Sequence, residues 1–146
     1  MPLIVVGADT RAGEAILEQL DAQEREIRVF VTDEARGLQL KQRGFKVATG
    51  DVSDESHVEA ACLRCFSSVL ITEAAGDDRE RSFADSPGEV LEGWARAVSN
   101  SQVRRVIWVT GRDHPRTDVD EVVSVDPDDP RFAEMVVELD EAHSIS

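Results

Sequence analysis

Gly7, Thr10, Arg11 and Gly13, within the stretch GADTRAG, are the residues of this chain best suited to hold a phosphate. The two glycines stand six positions apart, directly after the apolar run Leu3-Ile4-Val5-Val6. A glycine in such a place lets the backbone turn tightly and approach a pyrophosphate. A helix beginning there adds free N–H groups and the positive end of its dipole. Gly7 suits the turn, and Gly13 suits close packing of helix on strand. Thr10 stands where a third glycine would help; it keeps an N–H and adds a hydroxyl, but its Cβ limits close approach. Asp9 brings a negative charge towards the phosphates, and Arg11 can offset it. Two readings stand: a retained dinucleotide site, or glycines that serve only the turn and its packing.

Asp33 lies twenty positions beyond Gly13, at the end of a second apolar run. An acid there accepts bonds from the adenosine ribose hydroxyls and opposes a 2′-phosphate, which favours NAD over NADP. Arg36, one turn further on, keeps NADP open. Asp33 also fits the simpler role of capping the next helix.

The remaining reactive side chains carry less. Cys62 and Cys65 form a C-x-x-C without the second pair that structural zinc needs. They fall at a helix C-terminus, whereas a redox dithiol favours the N-terminal end, where the dipole stabilises thiolate. One buried and one partly exposed thiol is the expectation. Asp126, Asp128 and Asp129 sit among prolines and lack the glycine of a calcium loop, so they read as a solvated turn. His114, before Pro115, reads as a surface residue. No metal site is expected.

The elements that must position these groups alternate. Strands are expected over 3–6, 28–32, 46–49, 68–72 and 104–110, with a short edge strand over 121–125. Helices are expected over 12–20, 34–43, 53–63 and 86–100, and from 129 to about 142, with Ser53, Ser86 and Asp129 as caps. Residues 73–85 read as a polar, mobile loop beside the nicotinamide half of the cofactor, and 111–120 as a charged loop. Apolar strands alternating with helices specify an α/β fold with a doubly wound parallel sheet. Right-handed crossovers give a Rossmann-like order 3-2-1-4-5, with a short sixth strand open, in one domain over residues 1–146. Trp108 reads as core. Trp94 reads as packed on the sheet or as part of a dimer face. The stripe Phe132, Met135, Val136 and Leu139 is broad enough for the sheet or a second copy, so a homodimer stays open.

A formal net charge of −14 argues against nucleic acid and anionic membranes, whose phosphates need cations. No run approaches a membrane span, no basic n-region precedes an apolar stretch, and two cysteines make no disulfide framework. The expected location is the cytoplasm.

With these residues placed, the chain resembles the atypical short-chain dehydrogenase/reductases, NmrA-like proteins above all. The likeness rests on IVVGADTRAGEAILEQL, GFKVATGDVSDESHVEAAC and VRRVIWVTG. It implies NAD or NADP as cofactor, and makes Asp51 and Val52, in the acidic turn after the third strand, candidate adenine contacts. In members that reduce substrates, a tyrosine gives the proton and a lysine four residues later tunes it. This chain has no tyrosine, and the best match puts Phe132 and Val136 at those places. Thr110 or Ser124 matches the serine region, but one hydroxyl without a base is no catalytic unit. The chain also stops where such enzymes continue into substrate-binding segments. The resemblance therefore implies a dinucleotide-binding protein without a catalytic residue of its own, acting as a sensor or on a protein partner. Two alternatives remain: a small reductase or epimerase with a non-standard acid, and the regulatory nucleotide-binding domains of potassium transport systems (TrkA-N or RCK type), which share the length, the acid after strand two and the GD-x-[ST]-D turn. A module that has lost its ligand would instead close the loop on itself with Asp9 and Thr10.

Overall fold

The computed structural model describes residues 2–76 and 82–142. Six parallel strands form one sheet: β1 (Leu3–Val6), β2 (Ile27–Val31), β3 (Lys46–Thr49), β4 (Ser67–Ile71), β5 (Arg105–Val109) and β6 (Glu121–Val125). Their order is β3-β2-β1-β4-β5-β6. The expected order holds, and the sixth strand is a full parallel neighbour, paired with β5 from Arg105↔Glu121 to Val109↔Val125.

The helices are α1 (Arg11–Glu18), α2 (Glu34–Gln42), α3 (Glu55–Cys62), α4 (Glu73–Gly76), α5 (Pro87–Asn100) and α6 (Phe132–Glu141). Alternate strand residues point to opposite faces, so the sheet has two apolar cores. Val5, Val69 and Ile107 share one with α1, α2 and α6. Ile4, Leu70 and Trp108 share the other with α3, α4 and α5. Strands buried on both faces explain their nearly unbroken apolar sequence.

Several boundaries differ from the sequence expectation for local reasons. Asp54, not Ser53, caps α3, its carboxylate accepting from the His57 N–H at 3.2 Å. Ser53 is instead drawn into the preceding turn by Asp51. Asp129 does not cap α6; its carboxylate accepts from the Arg131 N–H, closing the turn before a helix that starts at Phe132. Part of the expected loop is helical, namely α4, while residues 77–81 of it lie outside the described residues.

β5 joins β6 without a helix, so loop 111–120 must hold the parallel crossover by itself. The His114 ring stacks on Trp108 at 5.2 Å between centroids, and the Trp108 Nε1 donates to Thr117 Oγ1 at 3.1 Å. The Asp118 N–H donates to Ser99 Oγ, tying the loop to α5. His114 therefore organises the loop rather than standing free on the surface.

At the far end of the sheet Arg105 is 0% exposed. Its Nε donates to Glu121 at 2.9 Å and its Nη1 to the Asp140 carbonyl at 2.8 Å, while the guanidinium lies over the Phe66 ring. Arg25 pairs with the Asp140 carboxylate at 2.6 Å. A buried charge is tolerated only when paired in this way. The network anchors the C-terminal end of α6, whose first residue reaches the other end of the sheet.

Trp94 is fully buried and its Nε1 donates to the Val52 carbonyl at 2.8 Å. Its side chain thus belongs to the core and not to a dimer face. We expect Trp94→Phe to destabilise the fold by about 2–4 kcal/mol, since it leaves that carbonyl unpaired and opens a void. Urea denaturation measures this; a loss below about 0.5 kcal/mol would contradict the role given to the bond.

Candidate functional site

The order reversal at β1 places the carboxyl ends of β1 and β4 side by side, where ligands bind in sheets of this kind. The chain leaves β1 through Gly7, whose φ is +88°. A Cβ there would stand 2.9 Å from the Ala74 Cβ, so glycine is required on both counts. At Gly13 a Cβ would meet the Ala8 and Gly7 carbonyl oxygens at 2.5 and 2.6 Å. Only a hydrogen lets α1 begin this close to β1.

Thr10 is buried and caps α1. Its Oγ1 accepts from the Gly13 N–H at 3.0 Å and donates to the Gly7 carbonyl at 2.6 Å. The hydroxyl thus replaces a third glycine by stitching the loop internally. Asp9 turns towards β2, where its carboxylate accepts from the Thr32 and Asp33 N–H groups, both at 3.0 Å. Its charge is bound to backbone donors at the end of β2.

These bonds leave the Arg11 and Ala12 N–H groups with no acceptor among the described residues, at the positive end of the α1 dipole. Both residues line a cavity of about 740 Å³. It runs from α1 over the ends of β4 and β5 to the start of α6. Leu91, Pro127 and Phe132 supply apolar walls; Arg11 and Arg112 supply cations, and Glu73 and Asp128 anions. A helix N-terminus opening onto space of this size, beneath a backbone that only glycine can form, fits a diphosphate.

The other candidates fall elsewhere. Asp33 caps α2, its Oδ1 accepting from the Ala35 and Arg36 N–H groups. Arg36 forms an ion pair with Glu14. Asp51 accepts from the Ser53 N–H at 2.8 Å, the Ser53 Oγ at 2.6 Å and the Ser82 N–H at 2.8 Å. Partial burial pushes its pKa up, but the Ser53 and Ser82 donors outweigh this and hold the carboxylate below its ordinary range. Val52 is core, and its carbonyl is taken by Trp94. Asp33, Asp51 and Val52 thus lie along the β2–β3 side, and none lines the large cavity.

Among the hydroxyls, Thr110 is occupied by the Arg112 backbone, both accepting from its N–H and donating to its carbonyl. Ser124 is exposed on β6, paired with Trp108 and not on the cavity wall. Phe132 lines the cavity, but Val136 is buried in the core beneath it, so the two do not face the cavity together. Glu73 opens the segment expected beside the nicotinamide half, while Thr72 and Arg112 were missed; they follow strand ends, without a local pattern to mark them.

Both cysteines are buried, where one was expected partly exposed. Burial pushes the Cys62 thiol up to about 12 and raises that of Cys65.

Residues 7–134 match the family described as NAD(P)H-binding, and the chain belongs to that family. No curated protein matches. Among solved structures, the Escherichia coli O157:H7 protein ChuY, an anaerobillin reductase, is similar at 23% identity and a TM-score of 0.58, over 75% of this chain and 50% of that one. A Citrobacter sp. triphenylmethane reductase complexed with NADP(H) is similar at 15% identity and a TM-score of 0.61, over 75% and 37%. An NADPH-dependent quinone oxidoreductase from Escherichia coli, complexed with NADPH, is similar at 18% and 0.57, over 74% and 36%. The chain therefore spans half or less of these proteins' lengths, and the likeness is one of fold.

Two outcomes are expected from these contacts. Gly13→Ala should cost roughly 2–4 kcal/mol, because backbone must move to admit the methyl; unchanged thermal stability would show that the loop has slack. Cys62 stays protonated in the fold to about 12, whereas the unfolded thiol ionises near its ordinary value of 9.0. The folded state then holds the extra proton between those values, so stability should fall as pH rises from about 9, by roughly 1 kcal/mol per unit. Urea midpoints across that range measure it, and Cys62→Ala should flatten the slope; the same slope in the variant would overturn the assignment.

Proposed function

We propose that this chain is an NmrA-like dinucleotide-binding protein whose own residues carry out no dehydrogenase chemistry. The observation that carries this reading is the pair of open N–H groups, Arg11 and Ala12, facing a cavity whose aromatic side chain, Phe132, has no proton to give. Gly7 and Gly13 bring the backbone to the pyrophosphate, Thr10 fixes the loop, and Arg11 adds a cation. Asp33 takes the ribose hydroxyls and Asp51 meets the adenine, with Val52 behind it, its side chain in the core and its carbonyl on Trp94. A protein of this kind works as a sensor when a partner has different affinity for its liganded and empty forms. Such a partner, whether another protein or a second copy of the chain, and a cytoplasmic setting, belong to the same proposal.

NAD(H) is favoured over NADP(H). Asp9, Asp33 and Glu14 gather near the β2 end, and the Arg36 guanidinium there is paired with Glu14. A 2′-phosphate would meet excess negative charge.

A second reading keeps reductase chemistry. It is favoured by the size of the cavity and by the solved reductases that share the fold. When bound, the reduced cofactor supplies a hydride. Here the protein's part would be to hold an acceptor between Phe132 and Arg112, with water giving the proton.

Calorimetric titration with NAD, NADH, NADP and NADPH separates these ideas from a ligand-free module. We expect heat with all four and about tenfold tighter binding of NADH than of NADPH, with Asp33→Ser narrowing that gap at least threefold while preserving the cap. No heat and no thermal shift at millimolar nucleotide would refute the dinucleotide reading. Steady oxidation of NADH by the isolated chain with a quinone acceptor would refute the silent one.

A further inference from the structure

Ser82 and Phe83, ahead of α5, dock on the turn proposed to meet adenine. The Ser82 N–H donates to Asp51 Oδ2 at 2.8 Å, and the Phe83 N–H donates to Ser53 Oγ at 3.0 Å. The Ser53 hydroxyl in turn donates to Asp51 Oδ1 at 2.6 Å, so both carboxylate oxygens are held by the chain's own donors. The Phe83 side chain is 67% exposed, so this strap is not anchored by a buried ring. Polar contacts of Ser82 and Phe83 at the edge of the sheet, backbone N–H bonds among them, hold it against that turn.

We propose that Ser82 and Phe83 form an autoinhibitory strap, which the adenine amine of a nucleotide displaces from Asp51 and Ser53. The proposal rests on the dinucleotide reading and adds its regulation. Adenine's exocyclic amine is a donor, as the Ser82 N–H is, so both compete for the carboxylate. The Phe83 bond to a neutral hydroxyl is worth about tenfold in equilibrium, and the stronger Ser82 bond to the carboxylate is one that the adenine amine replaces in kind. The released strap changes the surface beside α5, which gives a partner something to distinguish.

Amide hydrogen exchange of the full chain, followed by NMR with and without ADP, tests this. Slowed exchange at Arg11 and Ala12 together with faster exchange at Ser82 and Phe83 is the expected result. Slowed exchange at Arg11 and Ala12 with Ser82 and Phe83 unchanged would overturn the strap and leave the dinucleotide reading standing. No change at any of the four would overturn both. Ser53→Ala, which removes the acceptor of Phe83 without touching the helix cap, should bind ADP about three- to tenfold more tightly. Equal or weaker binding by that variant would also overturn the strap.

Discussion

The closeness of α1 to β1 is the constraint on which the rest depends. Gly7 turns the chain at a positive φ against Ala74, and Gly13 leaves no room for a Cβ above the Gly7 and Ala8 carbonyls. Because the helix starts there, its open N–H groups project over the reversal point of the sheet. Thr10 takes the Gly13 N–H within the turn, and Asp9 accepts from the Thr32 and Asp33 N–H groups at the end of β2. What looked in the sequence like two obstacles to a phosphate are a cap and a brace. Both acids at the β2 end are also committed to backbone donors, which fixes their position and concentrates negative charge on the ribose side.

The other half of the architecture serves the cavity. α6 presents Phe132 to it while its far end is clamped through Asp140 by Arg25 and Arg105. The loop before β6 supplies Arg112, and the turn after it supplies Pro127 and Asp128. The parallel pairing of β6, and hence this wall, depends on the Trp108–His114 stack and the bond to Thr117, because no helix covers the crossover. The electrostatics are local: the chain carries a formal charge of −14, yet the cavity lining includes the cations Arg11 and Arg112 as well as the anions Glu73 and Asp128. A diphosphate is thus met by oriented N–H groups and nearby cations rather than by the field of the whole protein.

The strand order and the alternation of elements were legible because strands buried on both faces must be apolar along their length. Gly7 and Gly13 were legible for the same kind of reason, since few backbone situations demand glycine at that spacing after a strand. The caps were partly legible: Ser86 caps α5 as its pairing with Pro87 suggests. Asp54 was missed because Ser53, equally suited by type, is taken by Asp51. The inward turn of the Thr10 hydroxyl, the reach of Asp9 to β2 and the docking of Ser82 on Asp51 were not legible. Each joins residues whose meeting depends on tertiary placement rather than on spacing. Arg112 and Thr72 escaped for the same reason. Trp94 was ambiguous because an apolar helical stripe looks alike against a sheet and against a partner; full burial and the Val52 carbonyl decide it.

A crystal structure of the chain grown with NADH tests the central claim most directly. The account predicts diphosphate oxygens within hydrogen-bond reach of the Arg11 and Ala12 nitrogens, with the nicotinamide in the cavity beside Phe132. A dinucleotide bound away from that helix end, or the loop still closed upon itself beside an empty cavity at saturating NADH, would contradict it.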